Sequence, residues 1–206
     1  MGFNEFLANM RLFIAMGIPE ELRVKVGSLA QEIRQICPGL QATWTLPENY
    51  HLTLAFLGPS DEKDLPIIAQ ASRERARATQ QAQVSLGGLG AFPSPHRPRA
   101  LWIGLIKGAE VVRQLARQLA WQLKSNNIAF DDKEFAGHLT IARLRGNPPS
   151  PKILSQIKGM IERPDPALGE WTIENIALME SHIKNGETPQ YVVLESFPIG
   201  KKAPLS

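Results

Sequence analysis

The apolar residues of this chain fall into short continuous runs and into longer stretches with helical spacing. Residues 11–16 (RLFIAM) and 100–106 are apolar runs typical of buried strands. After each run, apolar residues recur every three or four positions, which predicts helices that begin near Ile18 and near Ala109. The apolar stripes of the two helices are Leu22, Val26, Leu29, Ile33 and Ile36 in the first, and Val112, Leu115, Leu119 and Leu123 in the second.

Each of the two strand–helix pairs is followed by another predicted strand. The two strands that follow carry the same four-residue pattern. The copies are residues 51–54 (HLTL) and 138–141 (HLTI). Because side chains alternate between the faces of a strand, the histidine and the threonine of each copy share one face, and the apolar residues face a core. One such copy is typical of any half-buried strand. Two copies in matching units indicate an internal duplication, with two lobes that face one cleft.

The rest of the chain supplies further elements and turns. Helices are predicted over 61–79 and 152–163, strands over 84–89, 171–182 and 190–197, and a proline-rich loop over 90–99. Gly58 and Pro59 are expected to end the first motif strand. Asn185-Gly186 is expected to form a tight turn, which would make the last two strands a hairpin.

Composition and charge narrow the class of protein. A chain of 206 residues with 43% hydrophobic and 21% charged residues is typical of a soluble globular protein with a proper core. The formal net charge of +3 permits a polyanionic partner but does not indicate one. Cys37 is the only cysteine, which excludes a disulfide framework and favours a reducing compartment. Since no long apolar run is present, we expect a cytoplasmic protein.

The candidate chemistry rests on His51, Thr53, His138 and Thr140. A Ser-His-Asp site needs one base and one acidic residue rather than two histidines. A pair of imidazoles suits in-line displacement at phosphorus, because one deprotonates the attacking water while the other protonates the departing oxygen. The unperturbed pKa of imidazole, about 6.5, allows both protonation states near neutral pH. The hydroxyls can hold the non-bridging oxygens, and a strained cyclic phosphate is a suitable substrate.

The tandem HLTL and HLTI motifs in one chain of this length resemble the two-histidine (2H) phosphoesterase superfamily. Longer segments resemble the bacterial and archaeal RNA 2′,3′-cyclic phosphodiesterases, also called the 2′-5′ RNA ligase family. These segments are RLFIAMGIPEEL, WTLPENYHLTLAFLG, GGLGAFPSPHRPRALWIG, GHLTIARLR and ESHIKNGETPQYVVLESFPI, and they cover nearly the whole chain.

The resemblance implies an α+β fold with two pseudo-symmetric antiparallel sheets and outer helices around a central cleft, over residues 1–206 as a single two-lobed domain. It implies metal-independent hydrolysis of a terminal 2′,3′-cyclic phosphate on RNA to a 2′-phosphate, and also reversible 2′-5′ ligation of tRNA halves. We expect no cofactor, no membrane partner and a monomer.

By this likeness, His51 is the proton donor to the leaving 3′ oxygen and His138 is the proton acceptor from water. Thr53 and Thr140 bind the phosphate. The two copies are nearly identical, so the residues alone leave the assignment of acid and base open. Arg143 also matches the family pattern, but strand alternation places it on the face opposite His138 and Thr140, as it places Phe56 opposite His51. Arg143 is therefore left out of the predicted site.

Other readings of the same residues stay open. One alternative belongs to a different class of function. In it the protein is an RNA-binding module without significant turnover, and the histidines only contact phosphate. A second enzymatic reading keeps the site but assigns it small cyclic nucleotides. A metal enzyme would need further His or carboxylate ligands at motif spacing, which the motifs lack. His96, Arg97 and Arg99 in the proline-rich loop border an anion site or form an exposed basic loop, and Ala136-Gly137 departs from the commonest family pattern.

Overall fold

The computed structural model describes residues 10–163, 167–182 and 189–200, and these form an α+β fold with two antiparallel sheets. In chain order the elements are β1 (Met10–Gly17), α1 (Glu20–Ile36), β2 (Ala42–Trp44), β3 (His51–Ser60), α2 (Leu65–Ala78), β4 (Gln83–Phe92), β5 (Ala100–Lys107), α3 (Ala109–Ser125), β6 (His138–Leu144), α4 (Pro151–Ile161), β7 (Gly169–Thr172), β8 (Asn175–His182) and β9 (Gln190–Pro198). Sheet 1 has the strand order β3-β1-β8-β9, and sheet 2 has the order β2-β6-β5-β4-β7. The predicted fold class is confirmed.

The predicted duplication is visible in the pairing of the strands. In the first unit β1 pairs with β3, and in the second unit β5 pairs with β6, both antiparallel. Each unit also contains a long helix between its two strands, α1 in the first and α3 in the second. Each motif strand therefore lies beside the apolar strand of its own unit.

The two long helices pack across the duplication rather than within their own unit. The first-unit helix α1 contacts β6 of sheet 2, and Leu22 on α1 approaches Gly169 of β7. The second-unit helix α3 contacts β3 of sheet 1, where it also packs beside α2. One buried hydrophobic cluster contains residues of both sheets. The single two-lobed domain stays a prediction, and this exchange of helices supports it.

A β-bulge follows the histidine motif in both motif strands. In sheet 1, Thr53 lies opposite Ala15, but Ala55 lies opposite Ile14, so Leu54 is an extra residue. The pairing of β6 with β5 changes in the same way, since Thr140 lies opposite Trp102 but Ala142 opposite Leu101. An extra residue reverses the alternation of side chains beyond it.

The prediction that Arg143 faces away from His138 is therefore wrong. In β6, Ile141 and Ala142 are both buried, and Arg143 beyond them is exposed. Arg143 returns to the face that carries the histidine and the threonine. The same reversal places Phe56 on the face of His51, because Phe56 lies directly opposite Phe13, whose ring contacts the His51 ring.

Three predicted boundaries differ from the structure. Gly58-Pro59 does not end the first motif strand, which continues to Ser60; β3 is an edge strand, and an edge strand tolerates proline. The predicted strand over 171–182 is two strands, because the chain passes from sheet 2 to sheet 1 between β7 and β8. The predicted loop over 90–99 begins only after Phe92. The Asn185-Gly186 turn lies outside the described residues.

Gly90 on β4 is required by its neighbour on β5. Gly90 lies opposite Trp102, and a Cβ added at position 90 would overlap the indole ring. We expect Gly90→Ala to lower the free energy of unfolding by about 1–3 kcal/mol, as overpacking does. Gly159→Ala in α4 is the matched control, since its added Cβ meets nothing within 4 Å, and it should be neutral or stabilising. Denaturant unfolding measures both, and a Gly90→Ala protein as stable as the wild type would contradict the close packing.

Candidate active site

The His51 ring is fixed through its Nδ1 atom. Nδ1 lies 2.7 Å from the backbone oxygen of Asn49, and a carbonyl oxygen only accepts, so Nδ1–H is the donor. The Nε2 atom lies 3.1 Å from the Thr53 hydroxyl oxygen. Asn49 is itself held, because its side-chain amide donates to the backbone oxygen of Pro189 at 2.7 Å. In neutral His51, Nε2 is therefore the basic nitrogen, and it lies beside the threonine of the motif.

His138 repeats this arrangement in the second unit. Its Nδ1 atom lies 2.6 Å from the backbone oxygen of Ala136, again two residues before the histidine, so Nδ1–H donates and Nε2 is left basic. The partner is a backbone carbonyl, which any residue at position 136 supplies. The departure from the family pattern at Ala136-Gly137 therefore does not disturb the orientation of the ring.

The two motif strands contact each other where the sheets meet, and the histidines influence each other electrostatically. Burial lowers the pKa of His51, the Asn49 carbonyl opposes this, and the charges of Arg143 and His138 lower that pKa further. Burial is also the largest cause of the lowered pKa of His138, and Arg143 again adds to it. The charge of Arg143 therefore lowers the pKa of both imidazoles, and the charge of His138 also lowers that of His51.

Aromatic rings surround each imidazole. The His51 ring lies 4.9 Å from the Phe13 ring and 5.2 Å from the Tyr191 ring, measured between centroids. The His138 ring lies 4.8 Å from Phe92 and 6.1 Å from Trp102. These rings lie against the two histidines. Burial disfavours the charged form of an imidazole, and it is the largest cause of the lowered pKa of both His51 and His138.

Both threonines of the predicted site are half-buried on the face of their histidines. Thr53 contacts Nε2 of His51, and Thr140 lies opposite Trp102, whose ring contacts His138. All four predicted site residues thus lie on the two contacting motif strands. The structure adds Arg143, which sequence reasoning excluded.

Other candidates from the sequence have different surroundings. His96, Arg97 and Arg99 are exposed in the loop after β4. His182 lies 3.1 Å from a carboxylate oxygen of Glu180 at the end of β8, and Cys37 is buried. In the described part of the chain, no group of three or more His, Cys, Asp or Glu side chains is placed to hold a metal ion. None of the described helices is long and apolar enough to cross a membrane.

Comparison with known proteins decides the family. A family model described as LigT-like phosphoesterase matches residues 16–102. A curated protein of Archaeoglobus fulgidus, named RNA 2′,3′-cyclic phosphodiesterase, is 33% identical over 189 residues, which are 91% of this chain and 99% of that protein. The chain belongs to the LigT-like phosphoesterase family. A second LigT-like relative with the same name, from Thermus thermophilus, is 31% identical over 92% of this chain and 90% of its own length.

Solved structures of LigT-like proteins share the fold. The crystal structure of the Thermus thermophilus protein TT0787 matches with a TM-score of 0.75 and 29% identity, over 94% of this chain and 100% of that chain. Escherichia coli LigT, crystallised with 3′-AMP, matches with a TM-score of 0.70 over 92% of this chain and 97% of its own. At 21% identity, the second likeness shows the fold alone.

Proposed function

We propose that this LigT-like chain is an RNA 2′,3′-cyclic phosphodiesterase, which opens a terminal 2′,3′-cyclic phosphate to a 2′-phosphate without a metal. The observation that carries the proposal is the pair of oriented imidazoles. The Nδ1 atoms of His51 and His138 are both tied to backbone carbonyls, which leaves two Nε2 nitrogens for proton transfer on strands that contact each other. The curated relatives above are named RNA 2′,3′-cyclic phosphodiesterase, which supports the substrate class and the type of reaction.

The proposed reaction uses one histidine in each protonation state. Neutral His138 accepts a proton from water through Nε2, and the water oxygen forms a bond to phosphorus. The bond from phosphorus to the ribose 3′ oxygen breaks on the opposite side, and protonated His51 donates its Nε2 proton to that oxygen. The product keeps the phosphate on the 2′ oxygen, and the two proton transfers leave the histidines with exchanged protonation states. The family resemblance supports this choice of acid and base. The Nδ1 contacts of the two histidines are alike and therefore do not distinguish their roles.

Three side chains are proposed to bind the phosphate oxygens. The hydroxyls of Thr53 and Thr140 lie on the histidine face, where each can donate to a non-bridging oxygen. Arg143 is the third proposed phosphate-binding residue, because its charge lowers the pKa of both histidines. Donors and charge fixed where negative charge develops stabilise a pentacoordinate phosphorus transition state.

The same site also suits an alcohol in place of water. If the 5′ hydroxyl of another RNA attacks the cyclic phosphate and the 3′ oxygen departs, a 2′-5′ linkage forms, with the same two proton transfers. We therefore keep the ligation of tRNA halves as part of the proposal. The monomeric state and the cytoplasmic location also stay predictions.

The test is the hydrolysis of a short RNA with a 2′,3′-cyclic phosphate end in the presence of EDTA. We expect full turnover and a 2′-phosphate product, identified by phosphorus NMR. Activity that EDTA abolishes and a divalent cation restores would contradict the metal-independent mechanism. A 3′-phosphate product would contradict the assigned leaving oxygen, and RNA binding without turnover would favour the binding-module reading.

A further inference from the structure

Tyr191 brings a hydroxyl to the histidine face from the far edge of sheet 1. Phe13 on β1 lies opposite Met179 on β8, and Met179 lies opposite Val193 on β9, so these three side chains share one face. Tyr191 is two residues before Val193 and therefore shares that face as well. The ring contacts agree, since the Tyr191 ring lies 5.0 Å from the Phe13 ring and 5.2 Å from the His51 ring.

One residue holds both the His51 ring and the segment that carries Tyr191. The backbone oxygen of Asn49 accepts a hydrogen bond from Nδ1 of His51, and the side-chain amide of Asn49 donates to the backbone oxygen of Pro189. Pro189 is two residues before Tyr191. Because Asn49 is buried and makes both contacts, Tyr191 is held in place beside His51 before any substrate binds.

The Tyr191 hydroxyl is a donor without a partner in the protein. In the described part of the chain it forms no hydrogen bond, and its oxygen is not among the buried side-chain atoms that lack a partner. A ligand can therefore reach it. Burial of the ring raises the pKa of Tyr191 above its usual value, against the opposing charge of Arg143, so the hydroxyl stays protonated at neutral pH.

Arg143 approaches the same place from the other sheet. Its charge acts on Tyr191 as well as on both histidines, although Tyr191 is on β9 of sheet 1 and Arg143 is on β6 of sheet 2. A guanidinium only donates, and a phenol O–H also donates. The acceptor that suits both groups at once is an oxyanion. In the proposed reaction, the oxyanion at this place is the phosphate.

We propose that the Tyr191 hydroxyl donates a hydrogen bond to a non-bridging oxygen of the reacting phosphate. The inference rests on the proposed function and adds to it a donor from outside the duplicated units. Negative charge grows on the non-bridging oxygens as water attacks phosphorus, so this hydrogen bond is stronger in the transition state than in the bound substrate. Tyr191 thus touches the reacting group itself, while its ring packs against His51.

Tyr191→Phe tests the contact, because it removes the hydroxyl and keeps the ring against His51 and Phe13. The substrates are adenosine 2′,3′-cyclic phosphate and a tetranucleotide that ends in a 2′,3′-cyclic phosphate. We expect kcat/KM for both to fall by the same factor, about ten- to a hundredfold, which is the usual value of one hydrogen bond to a charged group. The loss should lie mainly in kcat. No loss, or a loss confined to the tetranucleotide, would overturn the contact with the reacting phosphate.

The pH profile separates this contact from an indirect effect through His51. Since the ring remains in Tyr191→Phe, the burial that lowers the pKa of His51 also remains. We therefore expect the bell-shaped pH profile of kcat/KM to keep its position while its height falls. A loss that comes with a shift of the profile to higher pH would show that Tyr191 acts only by burying His51, and it would overturn the proposal.

The matched control is the other tyrosine of the chain. Tyr50 is next to His51 in sequence, but alternation places it on the opposite face of the strand, and it is only 3% exposed. Tyr50→Phe removes the same hydroxyl from a position that the substrate does not reach. It should leave kcat/KM for both substrates unchanged, and an equal loss in Tyr50→Phe and Tyr191→Phe would overturn the specific contact.

Failure of the proposed function gives a different result. In that case the wild-type protein hydrolyses neither substrate. The Tyr191 contact is then judged by isothermal titration calorimetry with adenosine 2′-monophosphate. Weaker binding by Tyr191→Phe than by the wild type and Tyr50→Phe supports the phosphate contact without catalysis. Equal binding by all three proteins, or no binding by the wild type, overturns it.

Discussion

Replacing either His51 or His138 with alanine is expected to lower kcat/KM for an RNA cyclic-phosphate end by about 10²- to 10⁴-fold, the usual contribution of one general acid or base. Each replacement removes one of the two Nε2 nitrogens. The backbone carbonyls of Asn49 and Ala136, which hold the two rings, would remain in place. The loss should appear mainly in kcat, because the threonines and Arg143 still bind the phosphate.

Steady-state hydrolysis measures this effect, with His96→Ala as the matched control. His96 is exposed in the loop after β4, so its replacement should leave kcat/KM unchanged. The double variant should lose far less than the product of the two single losses, since groups that act as one unit are not additive. Turnover that survives in either single variant would contradict the two-histidine mechanism.

Binding measurements on the same variants separate the enzyme from the RNA-binding module. Conservative His51→Gln and His138→Gln variants keep a polar side chain at each position. In the proposed enzyme, both variants still bind the product RNA but lose turnover. In a binding module, binding is retained and the wild type has no turnover to lose.

The duplication and the four residues proposed for chemistry could be predicted from sequence because they rest on local rules. Two apolar runs, two helical stripes and two HLT patterns are each visible within short windows, and the fold class follows from their order. The packing of α1 on sheet 2 and of α3 on sheet 1 is a non-local result. Periodicity shows that a helix has an apolar face, but it does not show which sheet covers that face.

The position of Arg143 could not be predicted by simple alternation because of the bulge. Alternation assumes that every residue has one partner, and Ile141 has none in the pairing of β5 with β6. The second motif strand does carry a signal, since Ile141-Ala142 is an adjacent apolar pair that interrupts its alternation; in the first motif strand the pair Leu54-Ala55 lies within a longer apolar run, residues 54–57. The bulge itself is visible only in the strand pairing, where both motif strands carry one extra residue at the same distance from the histidine.

The aromatic rings around the histidines also depend on distant contacts. Tyr191 reaches His51 from β9, and Asn49 bonds to Pro189 just before that strand. These contacts require the strand order β3-β1-β8-β9, which has no local signal. Burial is the first cause of the lowered pKa of His51, and burial depends on these distant contacts, so the acid–base properties of the site come from the tertiary structure.

Arg143→Gln is expected to lower kcat/KM for the cyclic-phosphate RNA by about 10²- to 10³-fold, as the loss of one fixed donor at a developing negative charge does. Arg143 lies on the histidine face beyond the bulge, and its charge lowers the pKa of both His51 and His138. A group placed to act on both proton-transfer residues is also placed to neutralise the phosphate between them. Arg143→Lys keeps the charge but loses the planar fork of donors, so we expect an intermediate loss.

The pH dependence of the same variants gives a second readout. The proposed reaction needs one neutral and one protonated histidine, so kcat/KM follows a bell between the two apparent pKa values of the pair. Burial is the largest cause that lowers both pKa values, and the charge of Arg143 lowers them further. We therefore expect the bell-shaped pH profile of the wild-type kcat/KM to be centred below the ordinary imidazole pKa of about 6.5. Removing the charge in Arg143→Gln raises both pKa values and moves both limbs to higher pH, while burial still holds them below their ordinary value. Arg143→Lys should leave the bell in place, and a bell that does not move in Arg143→Gln would show that this charge does not act on the catalytic pair.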